Sequence, residues 1–461
     1  MSDQHFVLHH PKGFRARRGL NWFALGLMYA SYYMCRYNFR YATPGMIDEF
    51  GFDKTQISDM FAIWSLAYGT GQLINGLLSD RIGGKTSMLI GAGATIVINF
   101  IFGFSSFVSS FATFSLIALM NGYVQSFGAP GMVKINAAWF HRTERGTFAG
   151  IFGGMIQLGQ VAINNLAPLI IAGFTIGAYT IGGSNEEWRW VFRIPPLFTA
   201  AAAIFMAFAA KQSPDEAGYP GVIEDEIDNS AGTTVSIAES FRTIFTHPLV
   251  WFYAVAYACT GAVRSSSDQL AILYFVEQLG LDLENPTKAI YITMTIIPLI
   301  AFTGSLGSGI ISDKFFAGRR APVAIVLYLF EAFVIAMSAV ILMQGLVNPS
   351  ATGVFIGCTI LILISLTVNS THSIVGAAAP MDIGGKKMAG FATGVIDSFQ
   401  YYGAAISLAI TGRVLDATKE QYGWLFWYVI MASFGVIGGF SMFLLMLKQR
   451  RLKREGRDVK G

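Results

Sequence analysis

Long apolar runs alternate with short polar stretches along most of the chain. Apolar segments of about 20 residues are long enough to cross the hydrocarbon core of a bilayer as α-helices. A membrane β-barrel would instead show shorter segments of alternating polarity. The pattern therefore predicts an all-α membrane protein with twelve transmembrane spans, which we number 1 to 12 in chain order. Their expected positions are 20–44, 57–78, 86–106, 110–134, 147–173, 190–210, 249–277, 288–311, 322–344, 351–378, 388–411 and 422–447.

The composition agrees with a membrane protein. The chain has 461 residues, of which 53% are hydrophobic and 13% are charged, whereas soluble domains carry about 25% charged residues. The three cysteines, Cys35, Cys259 and Cys358, lie in apolar runs, so we expect no disulfide framework. No metal-ligand spacing, nucleotide-binding loop or nucleophile–base pair stands out. We therefore predict no cofactor, no metal, no enzymatic activity and no nucleic acid partner.

Basic residues are concentrated in alternate connections between the spans. Because Lys and Arg are enriched in cytoplasmic loops, this distribution predicts a multi-pass protein with both termini in the cytoplasm. We expect it in the plasma membrane, as in a bacterial inner membrane. The basic connections carry Lys12, Arg15, Arg17, Arg18, Arg81, Lys85, His141, Arg142, Arg145, Lys314, Arg319, Arg320, Lys386 and Lys387. The opposite connections carry Glu49, Asp53, Glu186, Glu187, Glu277, Asp282 and Glu284.

The two halves of the chain repeat one motif. Gly76-Leu77-Leu78-Ser79-Asp80-Arg81 follows span 2, and Gly309-Ile310-Ile311-Ser312-Asp313-Lys314 follows span 8. We expect an N-terminal six-helix bundle at 1–210, a cytoplasmic linker at 211–248 and a C-terminal six-helix bundle at 249–461. Parallel repeats of this kind occur in transporters that bind substrate between the halves, near the bilayer midplane.

Two arginines inside the spans are the main candidates for a functional site. Arg36 in span 1 and Arg264 in span 7 occupy corresponding positions in the two halves. An arginine at mid-membrane costs at least about 2.5–3.5 kcal/mol, so it must face protein, water or a ligand. Guanidinium is permanently charged and binds phosphate in a bidentate manner, which predicts an anion site between the halves. Alternatively, each arginine pairs with an acid, and Asp268 is the candidate partner of Arg264.

These residues resemble those of a known family. The Gly-x-x-x-Asp-Arg/Lys loop at 76–81, repeated at 309–314, resembles the signature of the major facilitator superfamily. The segment Tyr32-Tyr33-Met34-Cys35-Arg36-Tyr37-Asn38-Phe39 is similar to the Tyr-Tyr-x-x-Arg-x-Asn-Phe segment of the organophosphate:phosphate antiporters. That family includes the glycerol-3-phosphate and hexose-6-phosphate transporters. The resemblance implies two pseudo-symmetric bundles, with the phosphoryl group held by Arg36 and Arg264. The pocket residues that it implies are Tyr33, Tyr68, Gln125 and Tyr401.

The sequence departs from the family pattern at three positions. Gln72 and Ile156 stand where better-known members have a lysine and a histidine, and Asp397 stands where glycine is expected. The part of the pocket that is expected to recognise the organic part of the substrate is therefore altered. Asp397 becomes a further candidate site residue, either as a proton site or as a partner in a structural salt bridge.

Other polar residues in or near the spans have simpler interpretations. Arg40 is expected near the external interface, where it attracts anions or reaches the lipid headgroups. Glu331 in span 9 and His372 in span 10 are expected to be packed, hydrogen-bonded residues. The loop residues Asp80, Arg81, Asp313 and Lys314 are expected to act as gate elements rather than ligands.

These observations predict a secondary transporter that exchanges an organic phosphate ester for inorganic phosphate by alternating access. Its partners would be these small anions and the lipid bilayer, and we expect a monomer. Two alternatives remain open at this stage. One is a membrane receptor of the same fold that senses phosphate esters, and the other is a proton-coupled symporter of another anion.

Overall fold

The computed structural model describes residues 11–183, 185–223, 242, 245–246, 249–316 and 320–455. For residues 142–152 and 377–393, among others, it describes the backbone alone. Much of the segment expected as a linker, 211–248, lies outside the described residues. The described chain is almost entirely helical, as the apolar runs predict.

Every predicted span corresponds to helix. In the N-terminal half, spans 1 to 6 comprise Phe14–Tyr37 with Phe39–Phe50, Lys54–Ile82, Gly84–Phe104, Phe111–Gln125 with Gly128–Trp139, Arg142–Ala172, and Trp190–Arg193 with Pro195–Ala209. In the C-terminal half, spans 7 to 12 comprise Val250–Glu277, Lys288–Phe316, Arg320–Met343, Ala351–His372, Ala379–Tyr422 and Leu425–Arg454. A π-helix, Ser373–Ala378, joins spans 10 and 11. Span 11 is therefore much longer than the expected 388–411.

Spans 1, 4 and 6 are each divided into two helices, and the breaks in spans 1 and 4 lie near the candidate site. Span 1 breaks at Asn38, whose Nδ2 donates to Asn99 Oδ1 at 2.8 Å and to the Val191 carbonyl at 3.0 Å. Span 4 breaks between Gln125 and Gly128. Pro130 then falls in the first turn of the following helix, where a missing N–H costs nothing. Each of these two breaks lies close to a candidate site residue, Arg36 or Gln125.

A small β-hairpin follows span 5 and was not predicted. Strand β1, Phe174–Ile176, pairs antiparallel with β2, Tyr179–Ile181. Gly177 in the turn has φ of 62°, a left-handed conformation that glycine adopts without strain. The hairpin is a local addition, and the predicted all-α fold class is confirmed.

Seven spans meet the length and composition of a membrane-crossing helix, within the part of the chain that the structure describes. They are spans 3, 5, 6, 8, 9, 10 and 12. The other five are interrupted or carry more polar and charged residues. These five prove to be the spans that build the candidate site.

The two halves contact each other at the end of the bundle that carries Glu49 and Glu277, which we call the outer end. Arg413 of span 11 forms a bidentate ion pair with Asp59 of span 2, at 2.6 and 3.0 Å. Asp416 accepts hydrogen bonds from the backbone N–H groups of Lys54 and Thr55, at 3.2 and 2.6 Å. Span 11 therefore holds the N-terminus of span 2, where unpaired N–H groups favour an anion.

Inside the C-terminal half, spans 7 and 11 approach each other backbone to backbone. A Cβ added at Gly403 would lie 1.9 Å from the Ala258 carbonyl oxygen, and one added at Gly261 would lie 1.9 Å from that of Gln400. Such closeness requires glycine at both positions, as small residues often do at interfaces between membrane helices. This packing fixes span 11, and with it Gln400 and Tyr401, against span 7.

We predict that Gly403→Ala lowers the thermal unfolding temperature of the purified protein. Overpacking typically costs about 1–3 kcal/mol, which exceeds the gain of about 1 kcal/mol in helix propensity. The matched control is Gly307→Ala in span 8, where an added Cβ meets no atom within 4 Å. It should leave the unfolding temperature unchanged or raise it. Equal unfolding temperatures for the two variants would contradict the proposed close packing.

Candidate functional site

A narrow cavity lies between the two halves and is lined by four of the five polar spans. Spans 1 and 2 contribute from the N-terminal half, and spans 7 and 11 from the C-terminal half. The lining residues are Tyr33, Arg36, Tyr37, Trp64, Ser65, Arg264, Ser265, Asp268, Gln269, Gln400 and Tyr401. The structure thus brings together the two arginines that the sequence singles out.

Arg36 is buried among aromatic rings. Its guanidinium carbon lies 4.6 Å from the ring centroid of Tyr33, 4.5 Å from that of Tyr68 and 5.2 Å from that of Trp64. Its side chain is nearly inaccessible, with 6% exposed. Within the described residues its Nη2 has no hydrogen-bond partner. The charge is therefore held by π faces, and one donor remains available.

Gln125 fixes the position of Arg36 from behind. It accepts a hydrogen bond from Arg36 Nε at 3.1 Å. Its Nε2 donates to the Cys35 carbonyl at 3.0 Å and to Asn121 Oδ1 at 3.3 Å. Gln125 does not line the cavity in this conformation, and these bonds occupy both ends of its amide; its expected role in substrate binding stays a prediction. Gln125 acts on the cavity through Arg36.

Arg264 has neutral partners. Its Nη1 lies 3.4 Å from His372 Nε2. With the Gln400 amide oriented so that its oxygen faces Arg264, that oxygen accepts from Nη1 at 3.1 Å. The Asp268 carboxylate lines the same cavity and accepts from the Tyr37 hydroxyl at 3.3 Å.

Neither arginine forms an ion pair with an acid among the described residues. Among the described residues, the ion pairs join Lys54 to Glu277, Arg189 to Glu49, Arg413 to Asp59 and Arg451 to Glu455. None of them includes Arg36 or Arg264. The alternative interpretation, in which each arginine forms a structural ion pair, is therefore not what the structure shows.

Arg40 differs from its expected environment. It is only 1% exposed, so it neither reaches the lipid headgroups nor faces open water. Its Nη1 donates to the Asp268 carbonyl at 2.7 Å, and its Nη2 donates to Asn164 Oδ1. It thereby joins span 1 to span 7 of the other half. Its spacing of four residues from Arg36 placed it on the correct helix face, but the sequence did not reveal the partner helix that covers it.

The remaining candidate residues differ in how close they lie to the cavity; they are Tyr401, Tyr68 and Asp397. Tyr401 lines it, and its ring centroid lies 4.4 Å from that of Tyr68. Asp397 does not line it, because Gln400 lies between Asp397 and Arg264. The Tyr257 hydroxyl donates to Asp397 Oδ1 at 3.4 Å. The salt bridge considered for Asp397 is not among the ion pairs of the described residues.

The expected gate residues are only partly described. Arg81 and Lys314 are exposed at the ends of spans 2 and 8. The side chains of Asp80 and Asp313 lie outside the described part, so their proposed gating role stays a prediction. Glu331 is fully buried and accepts from Thr371 Oγ1 at 2.9 Å, which agrees with the packing role expected for it.

Sequence reasoning missed several residues around the cavity. Trp64 and Ser65 precede Tyr68 by about one helical turn, and Ser265 and Gln269 flank Arg264 and Asp268 on one face of span 7. Helical periodicity could have identified these four. His372 was interpreted as a packed residue, and nothing local to span 10 indicates that it contacts Arg264.

Comparison with known proteins identifies the family. The sequence pattern of the Major Facilitator Superfamily matches residues 25–408, which is most of the chain. The chain belongs to the Major Facilitator Superfamily. Solved structures of this superfamily share its architecture. A bacterial homologue of the human lysosomal transporter Spinster matches with a TM-score of 0.70 at 14% identity, covering 96% of this chain and 98% of that one. The D-xylose–proton symporter matches with a TM-score of 0.67 at 13% identity, over 92% and 97%.

Curated relatives within the superfamily match nearly the whole chain. The membrane sensor protein UhpC of Escherichia coli (strain K12) is 27% identical over 428 residues, covering 91% of this chain and 89% of that protein. The glycerol-3-phosphate transporter of Bacillus subtilis (strain 168) is 27% identical over 414 residues, covering 88% and 87%. A probable hexose phosphate transport protein of Chlamydia trachomatis is 24% identical over 454 residues, covering 95% and 92%. The resemblance to the organophosphate:phosphate antiporters is thus confirmed, and the superfamily is one of membrane transporters rather than enzymes.

We predict that Gln125→Glu abolishes anion binding without unfolding this superfamily member. The new carboxylate would lie about 3.1 Å from Arg36 Nε, where Gln125 Oε1 now lies. It would therefore form an internal ion pair that competes with any anion. The measurement is the thermal shift produced by inorganic phosphate. The control is Gln344→Glu, which adds the same charge at an exposed position and should retain the shift. An unchanged shift in Gln125→Glu would refute the positioning role of Gln125.

Proposed function

We propose that this protein is a secondary transporter that exchanges an organic phosphate ester for inorganic phosphate by alternating access. One observation carries the proposal: Arg36 and Arg264, one from each half, face a single cavity and neither is ion-paired with a described acid. Similarity to transporters of glycerol-3-phosphate and hexose phosphate supports a phosphate ester as the substrate.

The proposed mechanism follows from the charges. Two guanidinium groups that face one cavity repel each other when it is empty, and the low dielectric of the interior strengthens the repulsion. A phosphate dianion placed between them accepts hydrogen bonds from both and cancels their charge. The halves can then close around the ligand. A ligand shifts such an equilibrium only through its different affinity for the two states, so an empty carrier would cross slowly and flux would be coupled.

The contacts at the outer end suit such a mechanism. The Arg413–Asp59 pair is partly exposed, with 57% and 20% of the two side chains accessible. Ion pairs of this kind contribute about 0–1 kcal/mol. They can hold the halves together in one state and break in the next at little cost. The loop charges favour an external position for this end and a cytoplasmic position for both termini. We propose, in addition, a monomer in the plasma membrane.

A second candidate is a membrane receptor of the same fold that senses a phosphate ester. It is favoured by the similarity to the membrane sensor protein UhpC. A receptor would bind phosphate esters without transporting them. A proton-coupled symporter of another anion is the third candidate, and the presence of Asp397 next to the Arg264 network favours it. Its flux would follow a pH gradient without phosphate on the opposite side.

We predict that proteoliposomes loaded with phosphate take up labelled phosphate and that Arg36→Ala and Arg264→Ala abolish this exchange. Arg36→Lys and Arg264→Lys keep the charge but lose the bidentate fork. A charge-assisted hydrogen bond contributes about 1.5–3 kcal/mol, so each lysine variant should show about a 10- to 100-fold weaker apparent affinity. The measurement is the initial exchange rate as a function of phosphate concentration.

The matched control is Arg451→Ala, because Arg451 is exposed near the end of span 12 and far along the chain from the cavity residues. It should exchange phosphate like the wild type. Wild-type exchange in either cavity variant would overturn the proposal. Binding of phosphate esters without exchange in the wild type would select the receptor instead.

A further inference from the structure

A chain of hydrogen bonds leads from Arg264, away from the cavity, to Asp397. Arg264 Nη1 lies 3.4 Å from His372 Nε2, and His372 Nδ1 lies 3.0 Å from the Tyr257 hydroxyl. That hydroxyl donates to Asp397 Oδ1 at 3.4 Å. Gln400 provides a second route between the same two residues. Its oxygen accepts a hydrogen bond from Arg264, and its nitrogen lies 3.0 Å from Tyr257 Oη and 3.2 Å from Asp397 Oδ1.

The donors and acceptors of this network admit one arrangement. Guanidinium can only donate, so His372 Nε2 must accept and carries no proton. The imidazole proton then lies on Nδ1 and is donated to Tyr257 Oη. Tyr257 has one hydrogen to give, and it points to Asp397. Every bond is thus directed from Arg264 toward Asp397, which acts only as an acceptor, as an ionised carboxylate does.

The positive charge of Arg264 and the negative charge of Asp397 are therefore linked through the neutral groups between them. Asp397 serves as the counter-charge of Arg264 in the empty site, although Gln400, His372 and Tyr257 separate the two. An anion bound to Arg264 in the cavity would take over this role. The carboxylate and the anion would then be two negative charges sharing one arginine across a low-dielectric interior, which disfavours both being ionised.

A second, independent observation concerns Gln72 of span 2. Its side-chain amide donates a hydrogen bond to the Asp397 carboxylate from the other half. Its Oε1 is buried and has no hydrogen-bond partner among the described residues. An amide oxygen cannot receive a bond from a carboxylate, but it can accept one from a carboxylic acid. If the Gln72 amide turns over, this unpaired oxygen replaces its nitrogen beside Asp397 and accepts a hydrogen bond from the protonated carboxyl group.

We propose that Asp397 is a proton-binding site linked to the anion site, and that it takes up one proton when an anion binds Arg264. The step is a simple protonation, in which the carboxylate gains a proton from the solvent, the Gln72 amide turns over and the new O–H donates to Gln72 Oε1. This bond replaces the one that Gln72 donates to the carboxylate, so span 11 and span 2 stay linked across the halves. The proposal rests on the anion binding proposed above, and it adds that a proton is bound together with the anion.

Several charged or titratable groups face Asp397 and contribute to the field around it. Span 7 contributes Arg264 and Tyr257, span 10 contributes His372, span 1 contributes Arg36 and Tyr33, and span 11 itself contributes Tyr401. Both arginines favour the ionised carboxylate. A bound anion would screen these two charges and so favour the protonated form of Asp397.

The test measures protons taken up when inorganic phosphate binds to the purified protein in weak buffer with a pH indicator. Phosphate carries its own protons, so the informative quantity is the difference between the wild type and Asp397→Asn, an isosteric neutral variant. We expect the wild type to take up about one proton more per bound phosphate. The exposed Asp48→Asn is the matched control and should behave like the wild type.

A second variant tests the same proposal if Asp397→Asn does not fold. Tyr257→Phe removes one donor to the carboxylate, so proton uptake should have its midpoint at higher pH than in the wild type. A purely structural role would not move this midpoint. Equal proton uptake by wild type and Asp397→Asn, with phosphate still bound, overturns the proton site alone. Absence of phosphate binding in the wild type overturns the proposed function, and this inference with it.

Discussion

The constraint on which the rest of this structure depends is the burial of two guanidinium groups inside a membrane-spanning bundle, where neither forms an ion pair with a described acid. A charge at this depth is costly and must be stabilised by its surroundings. Around Arg36 the surroundings are the faces of three aromatic rings and one amide, and a cation–π contact contributes about 2 kcal/mol when desolvated. Around Arg264 they are an imidazole and an amide. Neutral partners lower the cost of burial without forming an ion pair with either guanidinium group, so attraction for an anion remains.

The helices that build the site are less apolar than the others. Spans 1, 2, 7 and 11 line the cavity and span 4 supplies Gln125, and these are the five that fall short of a self-sufficient membrane helix within the described residues. The other seven are apolar enough along their length to cross a membrane, although span 10 also contributes His372 and span 5 contributes Asn164. The interior of the bundle, rather than the bilayer, therefore stabilises the polar helices, and their stability depends on their neighbours.

The sequence predicts the elements of this fold better than it predicts their contacts. The apolar runs set twelve spans because the bilayer imposes a length and a polarity. The pair Arg36 and Arg264 could be predicted as a site because an arginine at mid-membrane is too costly to keep without a functional or structural partner. The inward position of Gln125, the burial of Arg40 and the contact between His372 and Arg264 could not, because each depends on how one helix is rotated against another.

The position of Arg40 bears on how the halves can move. The ion pairs at the outer end are partly exposed, and water can replace their partners at little cost. Arg40 is different, because it is buried and donates across the interface to the Asp268 carbonyl. A hydrogen bond from a charged group contributes about 1.5–3 kcal/mol, and leaving its partner unsatisfied costs more. Opening the outer end must break this bond and hydrate the charge. In the proposed transport cycle, breaking this buried bond therefore costs more than breaking the partly exposed ion pairs. Because Tyr37 stacks on Arg40 and hydrogen-bonds Asp268 in the cavity, a ligand there can alter that cost directly.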